Sequence, residues 1–283
     1  MNETALKERL KAIAREKDTT FNEIWKQFLL ERFLARLSLS KHQDKFIFKG
    51  GLLLAKYIEI GRETTDADFL MRNLKSQIPI IKSAIIDIIT IRMKDPFQFE
   101  WDNIEELSQP HMAYPGFRVS LKVRLEKMKD KIQIDIAVGD LVNPIEEHID
   151  TFKYKGNSLF EDEITLLVYP LETVFAEKLE TIISKGSANS RMKDYHDLLL
   201  LSRDKNKLIK NEELLQTITT TFQHRETNFQ LAIQFDDSGI NRLQNLWNSH
   251  LNSLGSTKDK LNLPPEISTV INEINTFLKT LQD

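Results

Sequence analysis

The chain contains no cysteine among its 283 residues. This absence excludes a disulfide scaffold, a cysteine nucleophile and a cysteine-ligated zinc site. No apolar run approaches the ~20 residues of a membrane span, and the charged N-terminal stretch lacks the apolar core of a signal peptide. Basic and acidic residues number 39 and 42, for a net charge of -3, which argues against binding nucleic acid through bulk charge. We therefore expect a soluble cytoplasmic protein.

Several common catalytic motifs are also missing. The sequence has no G-x-x-x-x-G-K-[ST] phosphate loop, no G-x-S-x-G nucleophile motif and no H-x-x-x-H pair, so P-loop, serine-hydrolase and zinc chemistry have little support. A hydrophobic content of 41% and a charged content of 29% are ordinary for a globular protein.

Apolar periodicity predicts an α+β protein with two domains, at 1–168 and 169–283. The first begins with two helices, over residues 3–16 and from Thr20, and continues as an α/β region. The second is helical, and Pro264-Pro265 marks the start of its last helix. The predicted helices of this half are 171–185, 191–203, 211–222, 239–252 and 266–281.

The α/β region alternates short strands with helices. Two strictly alternating stretches are typical of a hairpin with its turn at residues 128–130. The predicted strands are 45–49, 66–70, 117–125, 132–138 and 164–168, and the predicted helices are 52–59 and 76–93.

Asp66 and Asp68 are the most informative residues of this region. On a strand, side chains two positions apart project to the same face, so both carboxylates face the same way. If strand 132–138 lies beside strand 66–70, Asp135 joins them. Three such carboxylates can hold Mg²⁺ or Mn²⁺ ions for an in-line phosphoryl displacement. A solvated strand face is the alternative interpretation.

Gly50-Gly51 stands between a predicted strand and a predicted helix. Glycine lets the backbone come close to a ligand, and the N–H groups at a helix N-terminus favour phosphate. A simple tight turn is the alternative, although Asp66 follows after about one helix and a return strand.

Four segments occur in order: F-K-G-G-L-L-L-A-K-Y (48–57), R-E-T-T-D-A-D-F (62–69), P-L-E-T-V-F-A-E-K-L (170–179) and S-R-M-K-D-Y-H-D-L (190–198). With I-D-I at 134–136, they resemble the AbiEii/AbiGii-type abortive-infection nucleotidyltransferase toxins of the DNA polymerase β-like superfamily. The chain departs from the family pattern at Leu52, where the family has a threonine, and at Gly51, where superfamily members often have serine.

The resemblance implies a polymerase β-like core, completed by the helical half, and a role for each matching residue. It implies metal ligation by Asp66, Asp68 and Asp135, with Asp135 next to the incoming hydroxyl. Lys178 and Asp194 would join them as catalytic residues. The implied nucleotide-binding residues are Lys49, Gly50, Gly51, Arg62, Thr65, Arg191, Lys193 and Asp197.

The implied activity is Mg²⁺- or Mn²⁺-dependent transfer of a nucleoside monophosphate from a nucleoside triphosphate to an acceptor hydroxyl. By resemblance, the chain would be the toxin of a toxin–antitoxin or phage-defence pair, with a tRNA 3′ end as acceptor and a cognate antitoxin as partner. A protein or small-molecule acceptor, or a non-catalytic nucleotide- or partner-binding module, are the alternatives. Lys122, Arg124, Lys127, Lys129 and Lys131 on the hairpin could guide an RNA, or could simply be solvated.

Overall fold

The computed structural model describes residues 2–107, 116–204 and 211–282. The chain forms two compact units, of which the first comprises Met1–Lys56 and Glu63–Tyr169. The second comprises Tyr57–Arg62 and Pro170–Asp283. The sequence predicted a boundary after residue 168, but it did not predict that a six-residue segment between Lys56 and Glu63 would group with the helical half.

The first unit is built on a mixed sheet flanked by helices, and the predicted α+β class is confirmed. Its helices are α1 (Glu3–Glu16), α2 (Phe21–Ser38), α3 (Gly50–Tyr57, whose last residue belongs to the second unit) and α4 (Ile78–Ile89). Its strands are β1 (Phe46–Lys49), β2 (Asp66–Met71), β3 (Gln98–Leu107), β4 (Gly116–Leu125), β5 (Met128–Val138), β6 (Ile145–Asp150), β7 (Lys153–Tyr154), β8 (Asn157–Ser158) and β9 (Glu163–Val168).

The main sheet has seven strands in the order β3-β4-β5-β2-β1-β9-β6. Strand β2 lies parallel to β5 and antiparallel to β1. Asp135 could join Asp66 and Asp68 only if their strands were neighbours. The structure shows this arrangement, because the strand that carries Asp135 lies directly beside the strand that carries Asp66 and Asp68.

Alternation along the strands decides which face of the sheet is buried. Ile132, Ile134 and Ile136 are at most 1% exposed, while Asp135 between them is only half-buried. Helix α2 contacts β2, β5 and β9. The Phe33 ring of α2 meets the Phe69 ring of β2 at 6.1 Å. The apolar face is thus buried, and the aspartates project to the opposite face.

Local signals explain where the first helices begin. The Asn2 side chain accepts a hydrogen bond from the Ala5 N–H at 2.9 Å, and the Thr20 hydroxyl accepts one from the Glu23 N–H at 3.1 Å. Both are N-cap interactions that satisfy otherwise unpaired donors of the first turn.

Three sequence expectations need correction. The hairpin turn is formed by Glu126, with φ +48°, and Lys127 rather than by residues 128–130, because β5 already starts at Met128. The helix predicted over 76–93 covers only Ile78–Ile89. Strands β3 and β6 were not predicted, because both are sheet edges with charged, largely exposed side chains.

The second unit is helical, as predicted. It contains a short 3-10 helix at Gly186–Ala188. Its α-helices are α5 (Leu171–Lys185), α6 (Met192–Arg203), α7 (Asn211–His224), α8 (Asp237–Ser253), α9 (Thr257–Lys260) and α10 (Ile267–Lys279). Trp247 of α8 is fully buried and donates a hydrogen bond to the Pro264 carbonyl at 2.9 Å. Among the described residues, no helix has the length and apolar character needed to cross a bilayer.

Candidate functional site

Four charged residues stand in one line across the sheet of the first unit. Lys49 pairs in register with Asp68, Asp68 with Asp135, and Asp135 with Arg118. Paired residues on neighbouring strands project to the same face, and Asp66 joins them because it lies two residues before Asp68. We call Asp66, Asp68 and Asp135 the carboxylate face.

Gly50 makes close packing against the carboxylate face possible. Its φ is +78°, and a Cβ added at this position would lie 1.9 Å from Asp68 Oδ2 and 2.5 Å from Asp68 Cγ. Only glycine fits here, because it is free of both the steric clash and the conformational penalty. Gly51 follows within the first turn of α3, where backbone N–H groups have no helical partner. Leu52, which replaces the family's threonine, is buried in the core.

The contact between Gly50 and Asp68 gives a testable prediction. Gly156 has the same φ of +78°, but nothing lies within 4 Å of its added Cβ. Gly156→Ala should therefore cost only the left-handed backbone penalty of about 1–2 kcal/mol. Gly50→Ala should cost about 1–3 kcal/mol more, because it also overpacks the Asp68 carboxylate. Urea unfolding of both variants measures the difference; equal losses would contradict the close approach.

Arg118 engages Asp135 through two hydrogen bonds. Its Nε donates to Oδ1 at 2.7 Å and its Nη2 donates to Oδ2 at 2.6 Å. These bonds raise the pKa of Arg118 above its ordinary value, and the charges of Asp135, Asp66 and Glu105 add to the effect. The sequence predicted neither this ion pair nor a role for Arg118. The observed hairpin register places Arg118 opposite Asp135, and the turn predicted at 128–130 concealed that pairing.

Lys49 lies at the other end of the line, in contact with a carboxylate that the sequence did not single out. Its Nζ lies 3.2 Å from Asp140 Oδ2 and 3.1 Å from the Tyr169 hydroxyl. The same ammonium lies 4.4 Å from the Tyr169 ring centroid. Asp140 follows Gly139, which has a φ of +98°. That V-G-D break after a regular strand was the signal that could have identified Asp140.

The hairpin lysines are partly neutralised. Asp102 of β3 contacts Lys122 Nζ at 2.8 Å and Lys131 Nζ at 2.6 Å. These contacts raise the pKa of Lys122 and lower that of Asp102. The sequence did not predict β3 or these contacts of Asp102, and the hairpin is therefore less basic than its lysine count indicates.

The second unit contains a buried ion network. Asp197 is fully buried and accepts hydrogen bonds from Arg62 Nε at 2.9 Å and Nη2 at 2.7 Å. Lys178 Nζ lies 2.8 Å from Asp197 Oδ2 and 3.0 Å from Asp194 Oδ1. The exposed Arg191 donates to Asp194 Oδ2 at 2.9 Å.

The oppositely charged side chains of this network stabilise each other in their ionised forms. Burial would raise the pKa of Asp197, but Lys178 and Arg62 hold it well below its usual range. Burial likewise opposes the charge on Lys178, yet Asp197 and Asp194 raise its pKa above the ordinary value. The network thus ties the segment Tyr57–Arg62 to helices α5 and α6 of the same unit.

The predicted site residues are therefore distributed between the two units. Lys49, Gly50, Gly51 and the carboxylate face belong to the first unit, where Thr65 is exposed just before β2. The second unit contains the remaining predicted residues, of which Lys193 is exposed: Arg62, Lys178, Arg191, Lys193, Asp194 and Asp197. The roles that the resemblance implies for them at a nucleotide stay predictions.

Two histidines of the second unit, the fully buried His196 and the half-buried His250, lie in contact beside this network. His196 Nδ1 lies 2.9 Å from His250 Nε2. Burial, as the largest cause, lowers the pKa of each ring to about 4. Asp197 opposes this effect, while Arg62 strengthens it at both rings.

These lowered values predict an acid-sensitive second unit. Between pH 6.5 and about 4 the unfolded rings bind protons and the folded rings do not, so stability is lost as pH falls through this window. Between pH 7 and pH 5, protonation of the His196 ring in the unfolded chain should by itself lower the free energy of unfolding by about 2 kcal/mol. Urea unfolding at both pH values measures the loss, and His250→Gln should reduce it. Equal stability of the wild-type protein at pH 7 and pH 5 would contradict the prediction.

Carboxylate oxygens are the ligands that Mg²⁺ prefers, and Mg²⁺ needs only one or two of them when substrate phosphates and water complete its shell. Asp66 and Asp68, which share one face beside Gly50, fit that requirement in ligand type and number. Within the described ranges, however, no three acidic, histidine or cysteine side chains form a group that could hold a metal ion. Asp135 has both oxygens bonded to Arg118.

Comparison with known proteins identifies the class. A nucleotidyl transferase family model matches residues 32–273, most of the chain. Its description is "Nucleotidyl transferase AbiEii toxin, Type IV TA system". The chain belongs to the AbiEii family, and the resemblance found in the sequence is confirmed. The type IV toxin–antitoxin designation implies an antitoxin partner.

No curated protein matches the chain. Among solved structures, a protein from H. pylori whose description assigns it provisionally to the nucleotidyltransferases is similar over 93% of this chain and 95% of its own. The identity is 13% and the TM-score is 0.45.

Proposed function

We propose that this protein transfers a nucleoside monophosphate from a nucleoside triphosphate to an acceptor hydroxyl, with Mg²⁺ or Mn²⁺ as cofactor and pyrophosphate as leaving group. The observation that carries the proposal is the carboxylate face. Asp66, Asp68 and Asp135 project together from adjacent strands, next to a glycine whose missing Cβ leaves room for Asp68.

The first unit offers groups for the phosphates. The N–H groups of Gly50 and Gly51 lie at the start of α3, where helical N–H groups and the helix dipole favour an anion. Their position beside Asp68 would set a triphosphate against the carboxylate face. The hydroxyls that Leu52 and Gly51 lack are replaced in this proposal by backbone donors.

In the proposed reaction, the acceptor oxygen forms a bond to the α-phosphorus. The bond from that phosphorus to the bridging oxygen of the β-phosphate breaks, and pyrophosphate takes the electron pair. The hydroxyl proton passes to Asp135 or to water. Asp66 and Asp68 would hold the divalent ion, which when bound supplies charge neutralisation on the phosphates. The chain itself contributes mainly positioning and electrostatics.

The acceptor we propose is the 3′ end of tRNA, in keeping with a toxin role. Family membership supports the toxin role, and the resemblance supports the acceptor. Asp102 neutralises two of the hairpin lysines, so the hairpin is not the main argument for RNA binding.

A transfer assay tests the proposal. The full chain is incubated with each α-labelled nucleoside triphosphate, with Mg²⁺ or EDTA, and with total tRNA, a protein extract or no acceptor. We expect Mg²⁺-dependent label on tRNA, removable by 3′-exonuclease. Label on protein with tRNA untouched would favour the alternative acceptor class. No transfer to any acceptor, combined with Mg²⁺-dependent nucleotide binding, would favour a non-catalytic module.

A further inference from the structure

The three carboxylates of the carboxylate face repel one another, and cations on the neighbouring strands offset part of this repulsion. Asp68 and Asp135 are directly paired on neighbouring strands, and Asp66 shares their face. Like charges placed opposite each other in a sheet destabilise it, and carboxylates in one site repel unless a cation neutralises them. The same row supplies two cations at its ends, Lys49 and Arg118.

Arg118 acts on the carboxylate that the proposed chemistry needs most. Its guanidinium bonds both oxygens of Asp135, and the charge of Asp66 also acts on it. A bidentate guanidinium–carboxylate pair is among the stronger protein hydrogen-bonding arrangements. Arg118 thus occupies the place that a cation at Asp135 would take.

The pair is nevertheless accessible enough to open. The Arg118 side chain is 34% exposed and that of Asp135 is 20% exposed. A partly exposed ion pair is screened by water and contributes modestly to stability. The guanidinium can therefore leave Asp135 without stranding a fully buried charge.

We propose that Arg118 and a divalent cation compete for Asp135, so that the third carboxylate joins a metal site only after Arg118 has been displaced. The proposal rests on the function proposed above, and the observation behind it is that both oxygens of Asp135 are bonded to Arg118 while Asp135 lies in register with Asp68. Arg118 is in this view a positioning residue, which holds Asp135 away from the metal until the cation arrives.

The test measures binding of Mn²⁺ alone, without nucleotide, by titration calorimetry on the full chain. Arg118→Gln removes one positive charge adjacent to the site and frees both Asp135 oxygens. We expect the dissociation constant for Mn²⁺ to fall about tenfold, which is the order expected for one unit charge a few ångströms away at an effective dielectric between protein and water. Arg118→Lys keeps the charge without the bidentate geometry, so its constant should lie between the two.

Lys122→Gln is the matched control. Lys122 lies on the same strand and the same face as Arg118, and it also pairs with an aspartate, at 2.8 Å from Asp102. Its replacement should change the Mn²⁺ dissociation constant by less than about twofold, since Lys122 pairs with Lys131, four residues along β5 from Asp135, where salt screens its charge. The gain of Arg118→Gln must disappear in the Arg118→Gln/Asp135→Asn double variant if Asp135 is the ligand released.

Three outcomes would overturn the competition. They are an unchanged or weaker Mn²⁺ affinity of Arg118→Gln, a gain that survives Asp135→Asn, and an equal gain from Lys122→Gln. The transfer assay distinguishes failure of the proposed function from failure of the competition. Transfer by the wild-type protein with no gain for Arg118→Gln would reject the competition alone, whereas an Asp135-dependent gain without transfer to any acceptor would support the competition and reject the enzymatic proposal.

Discussion

Asp68→Asn should lower the rate of nucleotidyl transfer by about 100- to 1,000-fold, the scale of losing one electrostatic group at a reacting phosphate. Asparagine has nearly the shape of aspartate, so it fits the space that Gly50 leaves. The replacement removes the negative charge and one of the two carboxylates that we propose for the metal. Initial rates of label transfer, measured at saturating nucleotide, give the effect directly.

The free energy of unfolding of Asp68→Asn should stay close to that of the wild type. Asp68 lies in register with Asp135 on one side and with Lys49 on the other, so removing its charge relieves a repulsion and loses an attraction of similar size. A variant that loses transfer but keeps its melting temperature therefore separates a catalytic role from a folding role. Asp66→Asn should behave in the same way, since it shares the face.

Asp44→Asn provides the control for charge removal. Asp44 lies in the same unit, is exposed and pairs with the neighbouring Lys45 at 2.7 Å. Its replacement should leave the rate within about twofold of wild type, because an exposed pair contributes little. If Asp68→Asn kept a rate close to that of Asp44→Asn, the carboxylate face would not be the site of transfer.

The sequence predicted the core of this site because strand geometry is simple. The two-residue spacing of Asp66 and Asp68 requires a common face, and the isoleucines at alternate positions of β5 require Asp135 to face away from them. The sequence alone did not establish that the two strands are neighbours. Their adjacency and their register depend on the tertiary packing of β2 against β5.

The contacts of Arg118, Asp140 and Asp102 depend on how separate segments pair, which local propensity does not determine. Arg118 and Asp135 meet across a hairpin whose turn lies earlier than predicted. Asp140 follows the end of β5 and reaches Lys49, 91 positions earlier in the chain. In edge strand β3, which carries Asp102, a β-bulge between Trp101 and Asn103 interrupts the apolar alternation. Propensity alone identifies none of these contacts.

The buried ion network of the second unit shows a different limit of prediction from sequence. The R-x-T-x-D-x-D motif groups Arg62 with the aspartates that follow it, and the resemblance implied nucleotide binding for both Arg62 and Asp197. The structure places Arg62 and Asp197 in a buried ion pair within the helical unit. Both Asp197 oxygens are engaged there, which assigns this carboxylate a structural contribution independent of any ligand.

Asp197→Ala should therefore destabilise the second unit by about 3–5 kcal/mol, the cost of breaking a buried ion pair from one side. The substitution leaves the Arg62 guanidinium, only 7% exposed, without its bidentate partner and leaves the buried Lys178 with Asp194 alone. Urea unfolding followed by the fluorescence of the buried Trp247, in a Trp25→Phe/Trp101→Phe background, reports the loss for this unit.

Glu273→Ala is the matched control, because the Arg203–Glu273 pair has the same bidentate form without the burial. Arg203 Nε and Nη2 donate to Glu273 at 2.9 Å and 3.0 Å, and the two side chains are 32% and 38% exposed. This control should cost less than about 1 kcal/mol. A similar small loss in Asp197→Ala would mean that the network does not hold the segment Tyr57–Arg62 in place. A large loss, with opening of that segment in hydrogen exchange, would establish the ion pair as its anchor.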